Sequence, residues 1–204
     1  NAGNYIGSVT QIIENQKTST INNARFSVTQ NAIKNTGTLT IENINIENSN
    51  NGIQNTGSIV MRDGTITANN VGIYESYGST TMYGGTITAG NVGVQNQNFT
   101  LNDGIVFGTN YGVGGYDGSK TINGGSVSSH TNNAVFSYNS GITINGGTIT
   151  SRDATAVLGH HPITINGGTI TGTRGVKNEY WCSGYSCYWY DITVNDGYIE
   201  GTVN

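Results

Sequence analysis

Charge is scarce in this chain. Eight Lys and Arg stand against twelve Asp and Glu in 204 residues, charged side chains make up 10 %, and the net charge is −4. With no cationic stripe to neutralise phosphates, nucleic acid is not an expected partner. Leu, Ala, Glu and Lys are few beside 31 Gly and dense Thr and Asn, a composition that disfavours helix throughout. No apolar run approaches the roughly 20 residues of a membrane-spanning helix, so membrane insertion is not expected either. The acidic residues are scattered, leaving no cluster suited to calcium, and neither a metal nor a cofactor is anticipated. No signal peptide precedes Asn1 and no sorting motif stands at Asn204. The expectation is a mature segment or an excised fragment of a larger protein, and a monomeric one.

What the chain has is a repeated phrase. Thr143-Ile144-Asn145-Gly146-Gly147-Thr148-Ile149-Thr150 returns as Thr164-Ile165-Asn166-Gly167-Gly168-Thr169-Ile170-Thr171, a period of 21 residues. Weaker copies fill most of the chain. The apolar residue before each turn runs through Ile21, Ile41, Met61, Met82, Leu101, Ile122, Ile144, Ile165 and Val194, at spacings of 20, 20, 21, 19, 21, 22, 21 and 29. A second column follows in step from Phe26 through Ile46, Ile66, Ile87, Val106, Val127, Ile149 and Ile170 to Ile199, and a third from Ile33 through Ile53, Ile73, Val94, Val113, Val135 and Val157 to Val176. Side chains alternate along a strand, so Thr-Ile-Thr puts Ile inside and both Thr outside. Three short strands per turn imply three faces. Coils stacked at about 4.8 Å would pair each strand with its copies above and below around a dry column of Ile and Val. The reading is an all-β parallel β-helix of about nine three-strand coils, forming one domain over residues 1–204. Residues 1–18 are expected to cap its first end, with Ile6, Ile12 and Ile13 over the core.

This pattern resembles the right-handed parallel β-helix superfamily of pectate-lyase-like architecture. The TINGGTIT-type units resemble stalk or adhesin segments of bacterial surface proteins. The resemblance covers roughly residues 19–204 and implies right-handed coils and a secreted or cell-surface location; it specifies architecture much better than activity.

Asn or Asp followed by Gly recurs after the strand that carries the first column, where left-handed backbone angles cost these residue types least. Asn102, Asn123, Asn145, Asn166 and Asn195 align there and are expected to form a hydrogen-bonded ladder. Asp63, Asp103 and Asp196 sit in the same turns and read as structural.

The interval of 29 breaks the repeat. Its extra residues fall between Val176 and Val194, in Lys177-Asn178-Glu179-Tyr180-Trp181-Cys182-Ser183-Gly184-Tyr185-Ser186-Cys187-Tyr188-Trp189-Tyr190, which holds both Trp and both Cys. Insertions in solenoids mark working loops. Residues 178–190 are read as an aromatic loop closed by a Cys182–Cys187 disulfide in an exported chain. The rival is a metal pair completed by His160 and His161, against which stand the adjacency of the two His and the lack of CxxC spacing. Aromatics gather on the same edge in earlier coils: Tyr74 and Tyr77, then Tyr116, then Phe136 and Tyr138, then His160 and His161. Asn96, Gln97, Asn98 and Asn139 interleave with them. Rings that stack on the C–H faces of sugars beside amides that bond hydroxyls suit a glycan, and the same mixture suits a protein partner. The alternative is that these rings merely cover the open end of a core.

The candidate ligand-binding residues are thus Trp181, Tyr185, Tyr188, Trp189, Tyr190, Tyr138, His160 and Tyr116. The expected function is an adhesin-like binding module of a bacterial surface or secreted protein, taking a glycan or a host surface or secreted protein. Catalysis is the first alternative. Gly159-His160 followed by Arg174 and Lys177 is similar to motifs of polygalacturonase-type hydrolases and would set His160 beside Lys177, but no Asp-Asp pair supplies a general acid and base. The second alternative is ice binding, through outward pairs such as Thr65 and Thr67, Thr86 and Thr88, Thr148 and Thr150, and Thr169 and Thr171, an array interrupted by Ile105 and Phe107.

Overall fold

A computed structural model describes residues 3–7, 11–95, 98–183 and 186–204, and the side chains of these except 3–7, 11, 12, 48, 181, 183 and 186. It is a parallel β-solenoid of about eight turns, with no helix among the described residues. Each coil contributes three short strands, and like strands stack in parallel register as three rows.

The first row carries Phe26, Ile46, Ile66, Ile87, Val106, Val127, Ile149 and Ile170 in consecutive register, all fully buried. The second stacks Ile33, Ile53, Ile73, Val94, Val113, Val135, Val157 and Val176. The third holds nine strands, from Thr18–Asn22 to Ile192–Val194, whose inward column runs from Ile21 to Val194 as the spacing predicts. The irregular spacings are absorbed in turns, because a single-residue slip within a strand would turn its buried side chains outward.

Three separate sheets are not what forms. In two coils the corner between the first and second rows stays extended, so Ile44–Asn55 and Gly64–Glu75 are continuous strands that join both rows into one sheet. Register shifts between Ile46 and Asn51 let the backbone bend there. Gly3–Gly7 and Gln11–Asn15 pair in parallel with the strands of the next coil, so this segment continues the first two rows by one more layer. Ile13 packs against the core, while the side chains of Ile6 and Ile12 lie outside the described residues.

The corner between the third and first rows uses left-handed backbone in coil after coil, first at Asn23 and Asn43 and then at glycines. At Gly147 the φ is +83°, and a Cβ would meet Gly125 O at 2.7 Å and Gly124 C at 2.8 Å, so both conformation and space require glycine. Beside this corner the expected ladder forms: Asn123 donates to Asn102 (2.8 Å), Asn145 to Asn123, Asn166 to Asn145 and Asn195 to Asn166 (2.7 Å each).

A second ladder is buried at the corner between the second and third rows. Asn15 Nδ2 donates to Asn35 Oδ1 (2.7 Å), Asn35 to Asn55 (2.8 Å) and Asn55 to Glu75 Oε1 (3.2 Å). Each Asn also donates to a turn carbonyl of its own coil and one of the next, so Asn55 reaches Gly57 O at 3.1 Å and Ser79 O at 3.3 Å. These amides satisfy backbone carbonyls where the chain turns too sharply for the sheet to do so.

Candidate binding site

The last full coil ends its second row with Arg174–Asn178, and the 18-residue passage from Val176 to Val194 starts there. Asn178 falls two residues beyond Val176, the offset that Asn35 has from Ile33 and Asn55 from Ile53. Here the buried amide holds the insertion at both sides: Nδ2 donates to His161 O (3.1 Å) on the preceding coil and to Tyr190 O (2.8 Å) at the insertion's end. Between these anchors, Trp181–Ser183 and Ser186–Tyr188 form a small antiparallel hairpin in which Cys182 and Cys187 stand directly opposite and are disulfide-bonded. With both sulfurs in that bond neither is free to ligate a metal, and no group of three His, Cys, Asp or Glu among the described residues is placed to hold one.

Three of the expected residues form a contiguous row. The rings of Tyr116 and Tyr138 lie 5.5 Å apart and those of Tyr138 and His160 4.5 Å apart, one per coil, because register repeats the outward position at each turn. At the end of this row lies an open depression lined by His160, Lys177, Asn178, Glu179, Tyr180 and Trp189. Tyr180 and Trp189 face each other across the base of the hairpin at 5.4 Å, and Trp189 is 74 % exposed.

The polar side of the depression is a compact set of His160, Lys177 and Glu179. His160 Nδ1 lies 3.3 Å from Tyr180 O, a contact in which the ring nitrogen donates, and its Nε2 is 3.7 Å from Glu179 Oε2. Lys177 Nζ pairs with the other oxygen of Glu179. His160 and Lys177 therefore do come together, with Glu179 between them. The site offers cationic and anionic groups beside exposed rings, arranged around an opening.

The remaining expected residues divide. Tyr188 is exposed on the hairpin, with its backbone opposite Trp181. Tyr190 turns away to stack on His161 at 4.6 Å, so the adjacent His160 and His161 serve different surroundings. Burial, and then the charge of His160, holds His161 below the usual imidazole pKa. Tyr185, Asn96, Gln97 and the side chain of Trp181 lie outside the described residues. Tyr77 is exposed and adds no ring contact to the row among the described residues. Asn139 donates to Asp117 (2.9 Å), while Asn98 accepts from Ser119 N (3.0 Å) in the third row.

Sequence reasoning did not assign Asn178, Glu179 or Tyr180 to the site. Asn178 was visible as a return of the Asn15, Asn35, Asn55 column; for Glu179 and Tyr180, inside an irregular insertion, no repeat supplied a register. The outward Thr pairs stack along the first row, where Ile105 and Phe107 break the array. No family model, no curated protein and no solved structure matches this chain.

Proposed function

We propose that this protein is an extracellular binding module in which a rigid β-solenoid presents an aromatic edge and a disulfide-closed hairpin to a glycan. The observation that carries the reading is the axial row Tyr116, Tyr138 and His160 ending in the depression walled by Tyr180 and Trp189. Exposed rings provide faces for sugar C–H groups, and the neighbouring His, Lys, Glu and Asn side chains supply donors and acceptors for hydroxyls. Sheet stacking fixes the spacing of the row, so little ordering cost remains for binding. The disulfide and the likeness of the repeats to adhesin stalk segments support export to a bacterial surface or medium.

A protein partner is the second reading, favoured by the 74 % exposure of Trp189 on a projecting hairpin. A glycan array run beside a host-protein pull-down separates the two. Glycan binding should fall at least tenfold in Trp189→Ala and in Tyr138→Ala, and vanish when residues 179–190 are replaced by a short Gly linker, with the β-sheet spectrum retained. Capture of a host protein with an empty array would move the assignment to protein recognition. New reducing ends from a polysaccharide would move it to catalysis. Thermal hysteresis abolished by Thr148→Lys with Thr169→Lys would move it to ice.

A further inference from the structure

Three coils from the hairpin depression, the same face carries a second opening that the aromatic row alone does not explain. The outward positions of the second row read Gln95, Gly114, Phe136, Leu158 and Lys177 in successive coils. At Gly114 one side chain is missing from this row. Tyr111 lies in its place: a Cβ on Gly114 would stand 3.2 Å from Tyr111 Cβ and 3.3 Å from its Cγ. The Tyr111 ring thus leans across the row towards Phe136, with centroids 5.7 Å apart and planes tilted by 33°. Around this pair of rings lies a slot of about 350 Å³ whose other walls include Gln95, Asn91, Asn110 and Tyr116.

The chemistry of the slot differs from that of the hairpin depression. No charged side chain lines it among the described residues, whereas Lys177 and Glu179 line the other. An acidic sugar entering the slot would shed water without meeting a cation. An uncharged one meets two ring faces and three amides, and the Gln95 amide makes no hydrogen bond among the described residues. The two openings are joined by Tyr116, which lines the slot, and by its ring neighbours Tyr138 and His160. Gly114 and Lys177 are separated by three coil steps, about 14 Å at about 4.8 Å per step. A short linear chain of pyranose units spans that distance along the solenoid axis.

We propose that the Gly114 slot is a second carbohydrate subsite for an uncharged pyranose unit, and that one linear neutral oligosaccharide occupies both the slot and the hairpin depression. This rests on the glycan reading above and adds to it the charge, shape and direction of the ligand. The test is calorimetry with cello-, xylo- and chito-oligosaccharides of increasing length, and with oligogalacturonates as the acidic comparison. Wild-type affinity for at least one neutral series should rise at least tenfold between the disaccharide and the shortest chain that reaches both openings. That gain should disappear in Gly114→Leu, which displaces Tyr111, and in the surface variant Tyr111→Ala, which does not challenge the fold. Disaccharide binding should persist in both variants and be lost in Trp189→Ala. A length dependence unchanged in Tyr111→Ala, or oligogalacturonates binding more tightly than every neutral series, overturns the proposal while leaving the hairpin site intact. Binding lost in Tyr111→Ala but untouched in Trp189→Ala refutes the hairpin site and overturns the shared-ligand proposal with it. If no oligosaccharide of either kind binds, both fall.

Discussion

Glu75 and Lys120 occupy positions that the coil repeat reserves for buried groups, and together they predict an unusual dependence of stability on pH. Glu75 is fully buried at the end of the inner Asn ladder, where Oε1 accepts from Asn55 Nδ2 at 3.2 Å and from Thr80, while Oε2 has no hydrogen-bond partner among the described residues. Burial pushes its pKa from 4.5 to about 7, against the opposing effects of the Thr80 and Asn55 hydrogen bonds and the Lys120 charge. Lys120 is 1 % exposed and donates to Asp117 O at 2.7 Å and to Gly118 O. Burial pulls its pKa from 10.5 to about 8, opposed by the charges of Glu75 and Asp117. Between pH 4.5 and about 7 the folded protein keeps a proton that unfolded Glu75 has released, so this contribution to stability is complete below 4.5 and is lost as pH rises. Between about 8 and 10.5 the folded protein has released a proton that unfolded Lys120 retains, so that contribution is absent below about 8 and grows with rising pH. At about 1.4 kcal/mol per pH unit, each arm spans about 3 kcal/mol. Stability should pass through a minimum near pH 7–8, a range in which many proteins are close to their most stable. Urea midpoints from pH 4 to 11, compared between wild type and the double variant Glu75→Gln, Lys120→Met, isolate the two groups because other titrations cancel in the difference. The dip should be present in wild type and absent from the double variant, and Glu75→Gln alone should shift the rising arm to lower pH by removing an attraction that keeps Lys120 protonated. Parallel curves for wild type and double variant across the whole range would refute the reasoning.

The two Asn ladders should differ sharply in worth. Asn55→Ala strips a buried amide from the carbonyls of Gly57 and Ser79 and from its neighbours Asn35 and Glu75, and should cost about 3 kcal/mol or more, whereas Asn145→Ala on the exposed ladder should cost about 1 kcal/mol or less, as read from urea midpoints at one pH. Reducing Cys182–Cys187 should leave the far-ultraviolet spectrum and the midpoint nearly unchanged, because the bridge closes a loop outside the stacked coils, yet weaken glycan binding by loosening the hairpin next to Trp189. A collapse of the solenoid on reduction would show that the hairpin is part of the fold.

The three apolar columns were legible because their residues repeat at coil spacing and must point inward; a strand one residue out of step would expose Ile149 or Ile170 and bury Thr. The outer Asn ladder was legible for a related reason, since Asn-Gly marks a turn and turns must align when strands do. The inner ladder obeys the same rule and is harder to see. Asn15, Asn35, Asn55 and Glu75 each follow a column residue by two, at Ile13, Ile33, Ile53 and Ile73, but a search for hydrophobic periodicity sees only the Ile. Lys120 was hidden in the same way: it takes the place held by Phe99 and Ile142 in the coils on either side, a position whose residue type gives no sign of burial.

The candidate site was legible in part, and the division has a physical cause. Tyr116, Tyr138 and His160 sit on the repeating scaffold, so aligning the coils was enough to place them on one edge. The hairpin follows no repeat, so composition marked it as different without saying which rings face the coil and which face solvent; Tyr190 joins His161 while Trp189 stays in the depression. What connects the two regimes is Asn178. It stands in the same column as the buried ladder, which itself ends at Glu75, and it joins the insertion by its hydrogen bonds, so an interior amide of the solenoid also ties down the end of the insertion. A loop carried in this manner inherits its position from the rigid stack beneath it, which is how a regular repeat can hold an irregular insertion, and the candidate site it carries, in place.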